Sequence, residues 1–295
     1  MKKILITGGS GFIGRNLREQ LAKNYEIIAS SSSGLNLLET KEVHNFLSRH
    51  CFDVVIHSTT HNATRNSNKD LGLVLKNNLL MFYNLARCNK LFGRMIYFGS
   101  GAEYNKEKCP PKVREDQFGI YVPRDDYGFS KYISALATEK ADNIYDLALF
   151  GCFGKYEDWE IRFISNACCK AIFNLDITIK QNVYFDYLYI DDLVKIVDWF
   201  INANNLSHKR YNICTSALID LVTLGRKVKN ISGKKINIIT REEGFGREYS
   251  GNNDRLMKEM GGFQFASIDE AIENLYQWYE ANKLLLDKKL LLFDK

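Results

Sequence analysis

The sequence predicts an α/β fold, with a doubly wound parallel sheet followed by a smaller C-terminal α/β lobe. Three observations support this prediction. Short apolar runs alternate with amphipathic helical segments over roughly the first 150 residues, a pattern typical of parallel sheets with helices on both faces. A glycine-rich stretch, TGGSGFIG, connects the first apolar run to the first helical segment. Beyond that region the alternation becomes irregular, which indicates a separate lobe.

The first half of the chain contains five predicted strands. They are KILIT (3–7), YEIIA (25–29), FDVVIHS (52–58), RMIYFGS (94–100) and DLALFG (146–151). Helices are predicted between them, and the longest, over about 71–90, has Leu71, Leu75, Leu79, Phe82 and Leu85 at helical spacing. Right-handed crossovers place the carboxyl ends of all these strands at one edge of the sheet, where ligands bind in such folds.

The glycine-rich stretch has the spacing of a dinucleotide-binding turn. We expect Gly8 to allow the tight turn, Gly11 to let the backbone approach a pyrophosphate at the helix N-terminus, and Gly14 to allow close helix–strand packing. This context, between a strand and a helix, is that of a Rossmann-type sheet.

The second half of the chain is predicted to form the lobe. We expect helices over 161–173, 191–203, 218–231 and 267–282, and strands over 211–215 and 235–240. The last of these helices begins with a capping pattern, Ser267 followed by Glu270. The predicted domains are a dinucleotide-binding domain over 1–155 with 183–205 packed on it, a substrate-binding lobe over 156–282 with strand 211–215, and a C-terminal tail over 283–295 that forms a docked helix.

Composition argues against several classes of protein. The 295 residues are 45% hydrophobic and 25% charged, as in ordinary globular proteins. The 40 basic and 35 acidic residues are scattered along the sequence and give a net charge of +5. This distribution does not indicate a basic patch for binding nucleic acid. No apolar run reaches the roughly 18 residues of a membrane span, and no signal peptide is recognisable. Seven cysteines without a C-x-x-C pattern indicate free thiols, no metal site and a cytoplasmic protein.

The segment VPRDDYGFSKYISALA (122–137) places Tyr127 and Lys131 four residues apart, on one helix face. Such a pair alone is usually two solvated side chains. It also has a chemical use, because an ammonium beside a phenol favours the phenolate and lowers its pKa. The tyrosine can then give or take a proton. Asp125 and Asp126 precede the helix and are expected to cap it.

The motifs TGGSGFIG, FDVVIHS, YFGS and YGFSK occur in this order, and on them the chain resembles the extended short-chain dehydrogenase/reductase family over nearly its whole length. Within it, the chain is similar to GDP-L-fucose synthases and related nucleotide-sugar 4-ketoreductases. The resemblance implies that Tyr127 and Lys131 are catalytic and that Ser100, at the end of the fourth strand, binds the same substrate oxygen. Lys131 would also hold the nicotinamide ribose.

The resemblance and the glycine turn together define a predicted cofactor site. The second strand ends in serines, where an acidic residue often selects NAD, so we expect NADP, with NAD as the alternative. The stretch after that strand is similar to the one that meets the adenine in these relatives. The predicted cofactor-binding residues are Gly8, Ser10, Gly11, Phe12, Ile13, Gly14, Arg15, Ser30, Ser31, Ser32, Asn36, Leu37, Ser58 and Lys131.

The substrate site is predicted from the resemblance alone. Its residues are His61, Asn62, Ala102, Tyr127, Arg162 and Arg247. The synthases' cysteine, which moves protons at C3 and C5 of the sugar, falls on Ala102, and their histidine falls on or near Tyr156. The arginine that meets the nucleotide diphosphate falls on Phe185, and Arg162, Lys170 or Arg247 are candidates to replace it.

These features predict NADP-dependent reduction of the 4-keto group of a nucleotide-linked 6-deoxy sugar, without epimerisation at C3 or C5. An NAD-dependent nucleotide-sugar epimerase is the main alternative. A 4,6-dehydratase or a non-catalytic NADP(H)-binding relative are further alternatives, although the segment after Ser100 has one acid where dehydratases carry two. We expect a homodimer, because the helices near 71–90 and 128–145 carry apolar residues beyond one core face, such as Leu80, Met81 and Tyr83.

Overall fold

The computed structural model describes residues 1–31, 34–61 and 69–293. Its strands are β1 (Lys3–Thr7), β2 (Glu26–Ser30), β3 (Phe52–His57), β4 (Phe92–Ser100), β5 (Ile144–Leu149), β6 (Gly151–Phe153), β7 (Ile177–Asn182), β8 (Tyr184–Tyr189), β9 (Arg210–Ile213), β10 (Leu218–Asp220) and β11 (Ile238–Phe245). Its helices are α1 (Phe12–Leu21), α2 (Thr40–His50), α3 (Val74–Ala86), α4 (Asp126–Thr138), α5 (Phe163–Ile172), α6 (Ile190–Asn202), α7 (Leu221–Ser232), α8 (Asp254–Met260) and α9 (Ile268–Ala281).

The main sheet is parallel throughout, in the order β2-β1-β3-β4-β5-β9. Successive side chains of β1 enter different cores, as the two-residue repeat of a strand requires. Ile4 and Ile6 pack with α1 and α6, whereas Leu5 packs with α2 and α3 on the opposite face. Helices therefore cover both faces, and the predicted doubly wound fold is confirmed.

The lobe consists of two small sheets and three helices. One sheet has the order β10-β8-β6, the other pairs β11 with β7, and α5, α7 and α9 share a core around Phe153 and Tyr279. The side chain of Ser267 accepts a hydrogen bond from the amide of Glu270, as the capping pattern predicts. None of the described helices combines the length and apolar character needed to cross a bilayer.

Two segments that the sequence analysis predicted in the second half of the chain have a different structure from the one expected. Residues 210–213 form β9 at the edge of the main sheet, parallel to β5, although the sequence analysis placed 211–215 in the lobe. Parallel pairing leaves no local pattern, so this partner could not be read from the sequence. The tail forms two short 3-10 turns, Lys283–Leu285 and Lys288–Leu292, because Asp287 accepts from the amide of Lys289 and starts a new turn. The tail is therefore not one continuous helix, although its second turn docks on the lobe through the buried Leu291.

Candidate active site

The turn between β1 and α1 forms a cradle with no room for side chains. Gly8 has a φ of +71°, in the left-handed region. A Cβ atom on Gly14 would lie 2.2 Å from the carbonyl oxygen of Gly8. α1 begins directly after Gly11, so helix geometry leaves the amides of Phe12 and Ile13 without helical partners. A helix N-terminus of this kind holds a pyrophosphate.

A buried hydroxyl completes the fit for a dinucleotide. Ser58 donates from its hydroxyl to the carbonyl oxygen of Thr7 at 2.6 Å. The next residue, Thr59, has a buried hydroxyl without a hydrogen-bond partner among the described residues, 3.0 Å from the Cβ position of Gly8. Such an orphaned group indicates a missing polar partner at the mouth of the cradle. The sequence analysis missed Thr59, and the adjoining Ser58 was the only signal.

The second edge of the predicted cofactor site lies beyond β2. Ser30 is buried, and its carbonyl oxygen accepts from the amide of Gly9 at 3.0 Å. Ser31 follows it half-buried, and Ser32 lies outside the described residues. Ser10 at the turn is exposed.

The stretch after the serines is folded on itself. The side-chain oxygen of Asn36 accepts from the amide of Leu38 at 3.1 Å, and the amide of Asn36 donates to Glu42 at 2.7 Å. Leu37 is buried. These contacts fix the loop that the sequence analysis assigned to the adenine.

Arg15 is held by its own surroundings. Its guanidinium carbon lies 3.6 Å from the ring centroid of Tyr156, and its Nε lies 3.2 Å from a carboxylate oxygen of Glu19. The Tyr156 hydroxyl donates to the other oxygen of Glu19 at 3.1 Å, and its ring meets the edge of Trp278. Tyr156 therefore contacts α1 and α9, and reaching a cofactor phosphate would require Arg15 to leave this cluster.

Ser100, Tyr127 and Lys131 come together at the carboxyl end of β4. Asp125 accepts from the amide of Gly128 at 2.8 Å and thereby starts α4, which confirms its predicted capping role. One turn later, Lys131 Nζ donates to the carbonyl oxygen of Phe98 at 2.7 Å and lies 5.8 Å from the ring centroid of Tyr127. The Ser100 hydroxyl accepts from the amide of Ala102 at 3.2 Å.

Burial sets the charge states of these groups. It lowers the pKa of Lys131 from 10.5 to about 8, against the opposing charges of Asp146 and Glu103. Burial also raises the pKa of Tyr127, while hydrogen bonding to Ser100 and the charge of Arg162 oppose that rise. The phenol therefore keeps its proton at neutral pH and is poised as an acid.

His57 is a buried, neutral residue near Lys131. Burial, helped by the charge of Lys131, lowers the pKa of His57 to about 3. Its Nδ1 is 2.9 Å from the hydroxyl of Thr7, and its ring stacks on Tyr97. The imidazole thus joins β1 to β3 and β4.

Two residues that the sequence analysis missed face the same site. The hydroxyl of Tyr249 lies beside Ser100, 2.5 Å from the position of a Cβ atom on the following Gly101, and the Tyr249 ring lies 5.2 Å from that of Phe150. Lys106 Nζ lies 5.8 Å from the ring centroids of both Tyr127 and Tyr249. Neither residue belongs to a local pattern, so only the fold reveals them.

The predicted substrate residues are only partly assembled. Both ring nitrogens of His61 are engaged, since Nε2 donates to the carbonyl oxygen of Asp70 at 2.9 Å and Nδ1 accepts from the side chain of Asn77 at 3.1 Å. A sugar contact by His61 would require one of these bonds to break. Asn62 lies outside the described residues, and Ala102 is fully buried.

The predicted cationic residues divide into two kinds. Arg162 is exposed at the start of α5, and its charge lowers the pKa of Tyr127 against the effect of burial. Arg247 is exposed, and its charge acts on Cys109. Lys170 is instead buried in the lobe, 2.5 Å from the hydroxyl of Thr178.

Glu157 is a buried acid whose pKa is affected by the charge of Arg162. Glu157 is 8% exposed and accepts from the hydroxyl of Ser165 at 2.7 Å. Burial raises its pKa from 4.5 to about 8, although the charge of Arg162 opposes this. The described residues contain no group of His, Cys, Asp and Glu side chains suited to a metal ion.

Comparisons with known proteins agree with this geometry. Residues 4–214 match the model of the NAD dependent epimerase/dehydratase family. A GDP-L-colitose synthase from Yersinia pseudotuberculosis is 24% identical over 306 residues, which cover 94% of this chain and 97% of that protein.

Two solved structures share the fold. A GDP-mannoheptose C4 reductase from Campylobacter jejuni with NADP bound has a TM-score of 0.82 and 18% identity, covering 95% of this chain and 98% of that one. A GDP-L-fucose synthetase from Naegleria fowleri bound to NADP has a TM-score of 0.83 and 16% identity, covering 96% of this chain and 94% of that one.

Proposed function

The chain belongs to the NAD dependent epimerase/dehydratase family, and from that premise we propose that it reduces the 4-keto group of a nucleotide-linked 6-deoxy sugar with NADPH, leaving C3 and C5 unchanged. Membership makes the chain an NAD(P)-dependent oxidoreductase of the extended short-chain type. The single observation that carries the finer proposal is the arrangement of Ser100, Tyr127 and Lys131 beside positions that lack epimerising groups.

The catalytic residues have complementary roles in this reaction. When bound, the nicotinamide cofactor supplies the hydride that reduces the carbonyl carbon. The hydroxyls of Ser100 and Tyr127 bind the carbonyl oxygen, and Tyr127 gives its proton to that oxygen as negative charge develops there. The ammonium of Lys131 stabilises the phenolate that remains, and the phenolate then recovers a proton from solvent.

The proposed absence of epimerisation follows from what surrounds the relevant positions. Removing a proton next to a ketone needs a base at the sugar ring. Ala102 has no ionisable group, and the hydroxyl of Tyr156 is bound to Glu19 under the Arg15 guanidinium. Burial raises the pKa of the thiols of Cys109 and Cys152, which makes both poor bases at neutral pH.

The choice of NADP rests on the end of β2. A carboxylate there would bind the 2′-hydroxyl of NAD and repel a 2′-phosphate. The chain has Ser30 and Ser31 at that point, which can donate hydrogen bonds to a phosphate. The adenine is proposed to contact the loop of Asn36 and Leu37.

A homodimer built on α3 and α4 is part of the proposal. These helices pack side by side. Met81, which the sequence analysis assigned to the interface, is 7% exposed and belongs to the chain's own core, because it points towards the sheet. Tyr83 on α3 and Leu136 on α4 are each 37% exposed and remain available for a partner.

The test is a screen of NADPH oxidation against GDP-, dTDP-, CDP- and UDP-linked 4-keto-6-deoxy sugars, with the Tyr127→Phe variant as control. We expect one nucleotide class to support turnover by the wild-type protein alone. Purified protein should also be analysed for bound cofactor. Tightly held NAD, with no NADPH consumption on any substrate, would favour the epimerase instead.

A further inference from the structure

A buried group of charged side chains lies next to the catalytic serine. Glu103, in the turn that follows Ser100, and Asp146, in β5, are both 0% exposed. Arg210 in β9 is 3% exposed, with its Nε 3.3 Å from a carboxyl oxygen of Glu103 and 3.2 Å from one of Asp146. Glu139, half-exposed at the end of α4, lies 3.1 Å from Nη1 of the same arginine.

The two buried carboxyl groups converge on Gly99, the residue before Ser100. A Cβ atom there would lie 2.1 Å from Oδ1 of Asp146 and 2.9 Å from Oε2 of Glu103. Oε1 of Glu103 and Oδ1 of Asp146 are buried without a hydrogen-bond partner among the described residues. A hydrogen bond between two carboxyl groups needs a proton on one of them.

One proton on the pair would also balance the charges. Fully ionised, Glu103, Asp146 and Glu139 would carry three negative charges against the two positive charges of Arg210 and Lys131, and burial of the pair prevents water from screening the excess. Burial and mutual repulsion raise the pKa of Glu103 well above its ordinary value, and burial raises that of Asp146, while Arg210 opposes both shifts. Like charges this close titrate as one pair.

The catalytic lysine is the other cation that this pair influences. Lys131 Nζ donates to the carbonyl oxygen of Phe98, the residue before the Gly99 on which the two acids converge, so the ammonium lies in the same buried region. The negative charge of Asp146 and Glu103 raises the pKa of Lys131 against burial. The other titratable groups around Lys131 in the described part of the chain supply no charge of that sign, since His57 from β3 is neutral and the phenols of Tyr97 and Tyr127 are protonated. On its far side the pair meets Tyr104, whose phenol burial also keeps protonated, and Arg210, which lies over Phe118.

We propose that Glu103 and Asp146 share one proton and together supply the negative charge that keeps Lys131 an ammonium. They are positioning residues, because they act through Lys131 and contact neither substrate nor cofactor. The inference deepens the proposed function, in which Lys131 is catalytic, but the charge state itself requires no substrate. The shared proton can therefore be disproved while the proposed reaction is correct, and it can be confirmed while the proposed reaction is wrong.

The test is an NMR titration of full-length protein carrying ¹³C at lysine Cε, with Lys131→Arg identifying the signal. We expect Lys131 to titrate near pH 8 in the wild-type protein. Asp146→Asn should lower that midpoint by about one pH unit or more, and Glu103→Gln should change it in the same direction. Glu157→Gln is the matched control, since this buried acid is absent from the groups that act on Lys131. An unchanged midpoint in both variants of the pair would overturn the proposal.

Asn or Gln beside Arg210 could prevent folding, so a second measurement uses a chain with the cluster intact. The protein carries ¹³C at the Asp and Glu carboxyl groups and the substitution Glu157→Gln. This substitution takes away the carboxyl group of Glu157, whose pKa burial raises to about 8 and whose signal would otherwise be confused with that of the pair. We expect one carboxyl group to remain protonated at pH 7 in this protein. A spectrum with every carboxyl group ionised at that pH contradicts proton sharing, whatever the Asp146 and Glu103 variants do.

Discussion

The hydroxyl oxygen of Tyr249 lies 2.5 Å from the point that a Cβ atom on Gly101 would occupy. Any larger residue after Ser100 would therefore push this phenol out of the site. Tyr249 follows β11, so the C-terminal part of the chain places a hydroxyl beside the serine at the end of β4. The active site thus depends on how the lobe sits against the sheet.

Replacing Tyr249 by phenylalanine should reduce turnover without affecting the fold. The ring keeps its packing on Phe150, whereas the hydroxyl that we expect to hydrogen-bond to Ser100 during turnover is lost. Such a bond is worth about 1 kcal/mol, which corresponds to roughly a fivefold loss of kcat. In a Ser100→Ala background the same substitution should have no further effect, because its partner is gone. Equal losses in both backgrounds would show that Tyr249 does not act through Ser100.

Tyr127→Phe should abolish turnover and leave cofactor affinity nearly unchanged. The phenyl ring still packs between β4 and α4, but the proton donor is absent. General acid catalysis contributes about 10²–10⁴-fold, so kcat should fall by that factor. Fluorescence titration with NADPH measures the affinity in parallel. A variant that keeps more than about a tenth of the wild-type rate would remove Tyr127 from the mechanism.

Features encoded by neighbouring residues were predictable, and those formed by distant segments were not. The caps at Asp125 and Ser267 depend on residues three positions away and appear in the sequence as short patterns. The pairing of β9 with β5 joins segments far apart in the chain and has no periodic signal. For the same reason, nothing in the sequence connects Arg210 with Glu103.

The site shows the same division. The glycine turn and the Tyr127–Lys131 pair are local motifs, and the structure brings them to the carboxyl edge of the sheet together with Ser100. His61 occupies the predicted edge too, but its partner Asn77 lies on α3, and only the packing of that helix shows that the ring is already bound.

Glu157→Gln should stabilise the protein increasingly as pH rises from about 5 to 8. The pKa of Glu157 is about 8 in the folded chain and 4.5 without burial. Between these values the folded state binds a proton that the unfolded state has released, so the wild-type protein loses stability as pH rises. Glutamine has no such proton. Over this pH window we expect the free energy of unfolding of the variant to rise, relative to that of the wild-type protein, by on the order of 3 kcal/mol.

Urea unfolding at pH 5 and pH 8 measures this difference. The control is Glu107→Gln, at an exposed position. Its free energy of unfolding should differ from that of the wild-type protein by nearly the same amount at both pH values. A difference in the free energy of unfolding that stays constant for Glu157→Gln between pH 5 and pH 8 would mean that Glu157 is already ionised in the folded protein.

Leu136→Glu should convert a dimer into a monomer. Light scattering of the wild-type protein should give twice the 34.0 kDa chain mass. A charge at Leu136 would be buried without a partner at the α3–α4 interface, which is strongly unfavourable. Leu285→Glu is the control, since that leucine is 73% exposed in the tail and the variant should stay dimeric. A wild-type protein that scatters as a monomer at micromolar concentration contradicts the interface.

Turnover in deuterated water tests the proposed absence of epimerisation. Inverting C3 or C5 requires one group to remove a proton beside the ketone and another to return one from the opposite face, so solvent deuterium enters the product. Ala102 can do neither, and the Tyr156 hydroxyl is bound to Glu19. We expect NMR of the product to show no deuterium at C3 or C5 beyond that of a reaction without enzyme. Cofactor carrying deuterium at the transferable position should label C4 in ordinary water, which confirms that reduction took place. Deuterium or inversion at C3 or C5 that depends on the enzyme would show that another side chain, with Cys152 or Cys109 the first to replace by serine, has taken over the role of the missing pair.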